Sequence, residues 1–169
     1  MTKHQVELAR QMMPFMPKVV FDAFLGKLIE EGVEWPFHAP DGPPMCSDWY
    51  RILYPFSLAS LGRLTWERRS VCLGVESLFP GSKDDIELLR RNLRTNEIGL
   101  LGRDPEPYKQ QVLRNYNFIL ENDELPSEPI LGVTECGLKV FDGNHRIAAI
   151  YELGLESSME FAAWVGQKT

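Results

Sequence analysis

The residues best suited to chemistry stand together at Asp142-Gly143-Asn144-His145-Arg146. A carboxylate can accept a proton or sit beside a metal-bound phosphate. A glycine permits a positive φ or the close approach of a phosphate to the backbone. Asn144 adds an amide, His145 an imidazole suited to proton transfer near neutral pH, and Arg146 a planar cationic fork for oxyanions. Each also has a plain structural use: Gly143 as a turn residue, Asp142 as a helix cap, His145 and Arg146 as an ordinary histidine and a surface charge. Their grouping favours a site.

The flanking residues say how such a site is positioned. Leu138-Lys139-Val140-Phe141 reads as a strand, and Asn144 to Leu153 as a helix stopped by Gly154. Strand, tight turn and helix N-terminus together make an anion site, because first-turn N–H groups and the helix dipole point into the turn. Pro129-Ile130-Leu131-Gly132-Val133 is expected to pair with Leu138–Phe141 as a hairpin around Glu135-Cys136-Gly137.

Upstream, Lys18 to Glu31 places Val20, Phe21, Phe24, Leu25, Leu28 and Ile29 on one helical face, with Gly32 as its stop. The Met12, Met13, Phe15, Met16 cluster is expected to pack in a core. Trp35 to Met45, rich in Pro and Gly, reads as a loop, and Ser47 to Tyr54 as a short helix capped by Ser47. Arg68 to Leu78, with Val71, Leu73 and Val75 in near alternation, is expected to be a strand. Ser82 is expected to cap a helix running to about Arg94, with Asp84 and Asp85 in its first turn, Ile86, Leu89 and Leu93 inward and Arg90, Arg91 and Arg94 outward. Glu97 to Leu101 reads as a short strand and Gly102–Pro105 as a turn. Pro107 opens a helix to Glu121 that buries Val112, Leu113, Tyr116, Ile119 and Leu120, and Met159 to Val165 is a closing strand.

The 169 residues, 44% hydrophobic and 25% charged, suit an ordinary globular protein. A net charge of -6 weighs against a dedicated nucleic-acid binder. No apolar run approaches the roughly 18 residues a membrane span needs, and Met1 to Arg10 is too polar for a secretory signal. Cys46, Cys72 and Cys136 lack metal-ligand spacing, so no metal ligands are assigned and free thiols in a reducing cytoplasm are expected. Neither a Walker A loop nor an H-E-x-x-H site is present.

Asp142-Gly143-Asn144-His145-Arg146-Ile147-Ala148-Ala149, following Pro129-Ile130 and followed by Leu153-Gly154, resembles the D-G-x-H-R-x-x-A motif of the ParB/sulfiredoxin superfamily. The likeness extends more weakly from about Arg68 to Val165 and leaves Met1 to Thr65 outside it. It implies an α+β fold, a small mixed sheet with packed helices, as a domain over 67–169 behind a mainly helical, aromatic extension over 1–66. It also implies a nucleotide triphosphate, ATP or CTP, with Mg2+ as cofactor, bound at the phosphates by Gly143, Asn144, His145 and Arg146. Asp142 would be the catalytic acid/base or metal-side carboxylate and His145 a second catalytic group, in an ATP-dependent phosphotransferase or NTP hydrolase.

The sulfiredoxin branch has a cysteine where Asn144 stands, and the partition branch a G-E-R-R-type motif and basic helix-turn-helix that this chain lacks. The serine-kinase branch has a Pro-His-Glu-Glu-type segment where Pro80-Gly81-Ser82-Lys83-Asp84-Asp85 stands, leaving Glu76 or Asp84 as candidates for a second carboxylate. Phe141–Arg146 is also similar to the F-x-D-G-N-G-R core of Fic adenylyltransferases. That core needs a histidine before the phenylalanine, a glycine in place of His145, and a second arginine. Two further readings stand beside the enzymatic one. The first is a non-enzymatic adaptor using Trp35, Phe37, Trp49, Tyr50, Tyr54 and Phe56 as a protein interface. The second is a ParB-like nuclease or DNA-associated role.

Overall fold

The structure is a computed structural model that describes residues 2–33, 35, 47–95 and 104–169. The expected loop over 36–45, Phe37, Cys46, the strand expected over 97–101 and most of the turn after it lie outside the described residues. So does the side chain of Ser47, the expected cap. The chain divides into two compact units, 1–67 with 164–169, and 68–163.

The first unit is mainly helical. Helix α1 (Thr2–Met12) is followed by α2 (Lys18–Phe21), a π-helical turn over Asp22–Gly26, and α3 (Lys27–Glu30), then α4 (Ser47–Leu53) and α5 (Leu58–Gly62). The expected apolar face is buried at Val20, Phe21, Phe24, Leu25 and Ile29, while Leu28 is only half-buried because the π turn rotates the register after Phe21. Met13 and Met16 are core residues, but Phe15 points to solvent from the turn between helices. Trp35 and Trp49 meet edge to face, centroids 5.1 Å apart, and both are fully buried. Ser57 and Ser60 form a reciprocal capping box on α5.

Strands β1 (Thr65–Val71), β2 (Ile130–Thr134), β3 (Gly137–Asp142) and β4 (Phe161–Gln167) form one sheet in the order β1-β4-β2-β3. With α6 (Pro80–Asn92), α7 (Glu106–Asn122) and α8 (Asn144–Glu152) they make a mixed α+β fold. The hairpin of β2 and β3 is antiparallel as expected, with Leu131 opposite Val140 and Val133 opposite Leu138. β1 departs from expectation: it begins at Thr65 and ends at Val71, so Leu73 and Val75 do not continue it. The amides of Val75 and Glu76 both bond back to the Cys72 carbonyl, and Glu76 takes two hydrogen bonds of 2.7 Å from Arg69, closing a turn on which Val75 is exposed.

Helix α6 also starts earlier than expected. Pro80 occupies its first turn, where a missing N–H costs nothing. Ser82 is therefore inside the helix and not its cap, and Asp84 and Asp85 fall beyond the first turn. The Ser82 hydroxyl, fully buried, instead accepts from the Val140 amide at 2.9 Å. β3 is an edge strand, and its outer backbone groups need partners. The Ser77 carbonyl and the Phe79 amide bond to Leu138, and Ser82 completes the cover. Gly137 fits this closure: at φ 120°, a Cβ there would lie 2.5 Å from the Ser77 carbonyl oxygen.

Ile86 and Leu89 are buried as expected, but Asn92 replaces Leu93 on the inner face. Arg90 and Arg94 are not simply solvated: both reach Glu152 at the end of α8, at 2.7 and 2.6 Å. Burial works against the charge on Glu152, yet the hydrogen bonds from Arg94 and Arg90 outweigh it and hold its carboxyl below the usual range. In α7, Val112 and Ile119 are buried, whereas Leu113 and Leu120 are exposed.

Candidate functional site

The Asp142–Arg146 segment joins β3 to α8 as the motif expects, with Gly143 at the N-cap of α8. Gly143 has φ 112° and ψ 11°, a conformation costly for any residue with a Cβ. A Cβ would also lie 2.9 Å from the Pro129 Cβ. Pro129 belongs to the segment entering β2, so glycine lets the motif turn press against that segment.

Arg146 fastens the same contact. Its Nη1 donates to the Ser127 hydroxyl and, at 3.3 Å, to the Glu128 carbonyl, while its Nη2 donates to the Asp142 carboxylate. Only 11% of the Arg146 side chain is exposed, against 31% for Asp142. Both terminal nitrogens of the fork are thus engaged within the protein. The Glu128 carboxylate is in turn held by Arg68 of β1, at 2.6 Å from its Nε. Two arginines from different elements therefore pin the Ser127–Pro129 strap beside the turn. Sequence reasoning missed Ser127 and Glu128; the quoted Pro129-Ile130 was the only pointer to them.

Commitment of Asp142 to Arg146 settles one alternative. Asp142 does not cap α8, and Gly143 at the N-cap position has no side chain to do so. The helix begins with the Ile147 amide bonding to the Gly143 carbonyl at 3.0 Å, which leaves its first-turn amides without an intrahelical acceptor. Asn144 Oδ1 is buried with no hydrogen-bond partner among the described residues, a position that calls for a donor.

His145 lies in the first turn of α8, its Nε2 buried. The imidazole stacks on Tyr108 from the first turns of α7, with parallel planes and centroids 5.7 Å apart. Tyr108 was also missed, because it lies one turn ahead of the apolar positions that marked the buried face of α7.

Of the candidates for a second carboxylate, Glu76 is engaged by Arg69 and Asp84 is exposed on α6. Among the described residues, no group of three or more His, Cys, Asp or Glu side chains is gathered as metal ligands. No helix of the described residues is long and apolar enough to cross a membrane. Of the aromatics considered for an interface, Trp35, Trp49 and Phe56 are core residues, whereas Tyr50 and Tyr54 are about half exposed, at 48% and 50%.

No family model, curated protein or solved structure matches this chain.

Proposed function

We propose that the chain binds a nucleotide through the turn before α8, in the manner of the ParB/sulfiredoxin superfamily, and acts as an ATP- or CTP-dependent phosphotransferase or NTP hydrolase. The observation that carries this reading is the uncapped start of α8: glycine at the N-cap, with the neighbouring carboxylate drawn away to Arg146. First-turn amides of a helix attract phosphate through hydrogen bonds and the helix dipole. The buried acceptor of Asn144 adds a polar atom in want of a donor, such as a ribose hydroxyl or the exocyclic amine of a base.

The bound nucleotide and its magnesium would supply the transferable phosphoryl group and charge neutralisation. The chain's own part is positioning, which is most of what phosphoryl transfer asks of a protein. Gly143 and Asn144 would let oxyanions approach the backbone. Arg146 would hold the turn on the Ser127–Pro129 strap and place its charge beside the anion. Asp142, partly exposed but held by Arg146, is the carboxylate that would accept a proton or sit on the metal side once a ligand competes for that arginine. Calorimetric titration with ATP, ADP and CTP in the presence of magnesium tests the reading, with Gly143→Val as the control that fills the turn. Binding in the parent chain and none in the variant is the expected pair of results.

A second reading, a protein-binding role without catalysis, is favoured by one feature. Tyr50 and Tyr54 stand side by side on the surface with ring centroids 5.6 Å apart. A defined protein partner whose binding is lost on Tyr50→Ala with Tyr54→Ala, and kept on Gly143→Val, would support that role instead.

A further inference from the structure

Ser127 stands 19 residues before Arg146 in the chain, yet its hydroxyl rests on the same guanidinium as the Asp142 carboxylate. Arg146 Nη1 donates to the Ser127 oxygen and Nη2 to Asp142, and the two terminal nitrogens of one planar fork lie side by side. A hydroxyl and a carboxylate are therefore neighbours on one cation. The arginine is largely buried, but Ser127 is exposed and Asp142 partly so. Ser127 uses an oxygen lone pair in this contact, and its own hydroxyl proton has no acceptor among the described residues. Asp142 engages Arg146 through one carboxylate oxygen, and the other takes no hydrogen bond among the described residues. The strap that carries the serine also reaches the motif turn: a Cβ on Gly143 would lie 2.9 Å from the Cβ of Pro129, two residues after Ser127.

We infer that Ser127 is a phosphoacceptor of the chain itself, taking the terminal phosphoryl group of a nucleotide bound at the turn before α8. This names a hydroxyl substrate for the phosphotransferase reading above and rests on that reading. In the step, the Ser127 oxygen forms a bond to the γ-phosphorus, and the bond from that phosphorus to the β–γ bridging oxygen breaks. The nucleoside diphosphate leaves with the bridging oxygen, and the hydroxyl proton passes to Asp142. Arg146, drawn to the incoming phosphate, releases Asp142 for that role. The phosphoserine formed brings added negative charge and three acceptor oxygens to Arg146, a stronger pairing than the hydroxyl makes. Ser127 and the turn belong to the same compact unit, so the transfer is intramolecular.

The test incubates the full chain with magnesium ATP or magnesium CTP labelled with 32P in the γ position, with nucleotide binding measured in parallel by calorimetry. The expected result is label on Ser127, the one serine in the tryptic fragment 115–139, at a first-order rate that does not change when the chain is diluted. Ser127→Ala, with unchanged circular dichroism, should still bind nucleotide and lose the label, while Ser127→Thr should carry it as phosphothreonine. Asp142→Asn should slow labelling roughly a hundredfold, the loss expected for a general base. Nucleotide binding with no label on Ser127 of the parent chain overturns the proposal and leaves the nucleotide reading standing. A labelling rate that falls in proportion to dilution overturns transfer within one chain, and label retained in Ser127→Ala overturns the choice of serine. Absence of binding for both nucleotides removes the reading and the proposal together.

Discussion

Arg146 and Asp142 face each other across the first turn of α8, and their pairing takes Asp142 away from the helix cap while tying the turn to the strap before β2. A guanidinium does this because its terminal nitrogens donate in fixed, diverging directions within one plane. A lysine brings charge without that fork. Arg146→Lys should therefore speed amide hydrogen exchange over Ser127 to Ile130 and weaken nucleotide binding about tenfold, the equivalent of ~1.4 kcal/mol. Unchanged exchange in that segment would show that the fork does not hold the strap.

Gly143→Ala meets two obstacles at once, a φ of 112° and the Pro129 Cβ at 2.9 Å from the new methyl. The expected destabilisation is about 1–3 kcal/mol, read as a lower midpoint in urea with the slope unchanged. A midpoint equal to that of the parent chain would mean that the turn readily takes another conformation.

Glu152 should govern part of the acid sensitivity. Burial opposes its charge, but hydrogen bonds from Arg94 and Arg90 leave its folded-state pKa below the ordinary value of 4.5. A carboxyl depressed on folding contributes stability that is present in full above its unfolded pKa and is lost as pH falls through the folded one. The parent chain should thus lose stability on acidification below about pH 4.5, and Glu152→Gln should show a shallower decline over that range, checked by thermal unfolding across pH 3 to 7. Parallel pH profiles for the two chains would contradict the role given to the Arg90–Glu152–Arg94 cluster.

Lys139 has the opposite balance. Burial in β3 lowers its pKa from 10.5, with the charge of Asp85 offsetting only part of the effect. Its charged form is therefore a cost at neutral pH, relieved as pH rises toward 10.5. Lys139→Met keeps the apolar stem, so a gain of ~1 kcal/mol should raise the melting temperature by about 2–4 °C at pH 7. The gain should shrink at pH 10. A lower melting temperature would show that the Asp85 charge needs this lysine.

How much of this could be read in the residues follows from what each signal depends on. The β2–β3 hairpin, the motif turn and α8 were legible because turn chemistry and periodicity are local: Gly137, Gly143 and Gly154 punctuate them in sequence. The start of α6 was not, because Ser82 looks like a cap and is used across the fold on the Val140 amide. The end of β1 was misplaced because Leu73 and Val75 keep an alternating pattern after the chain has turned at Cys72. In the site, Gly143 and Arg146 were legible as types, but not the inward turn of Arg146. That orientation depends on Ser127 and Glu128, which are remote in sequence and carry no motif. Tyr108 was hidden for a similar reason: a stack between two helices leaves no periodic trace.

The central claim is that the uncapped turn before α8 receives a nucleotide phosphate, and isothermal titration of the full chain with ATP, ADP and CTP in magnesium buffer tests it most directly. The account predicts saturable one-to-one binding of at least one nucleotide, lost in Gly143→Val and weakened in Arg146→Lys. Absence of binding for all three nucleotides, or equal binding by the parent chain and Gly143→Val, would contradict it.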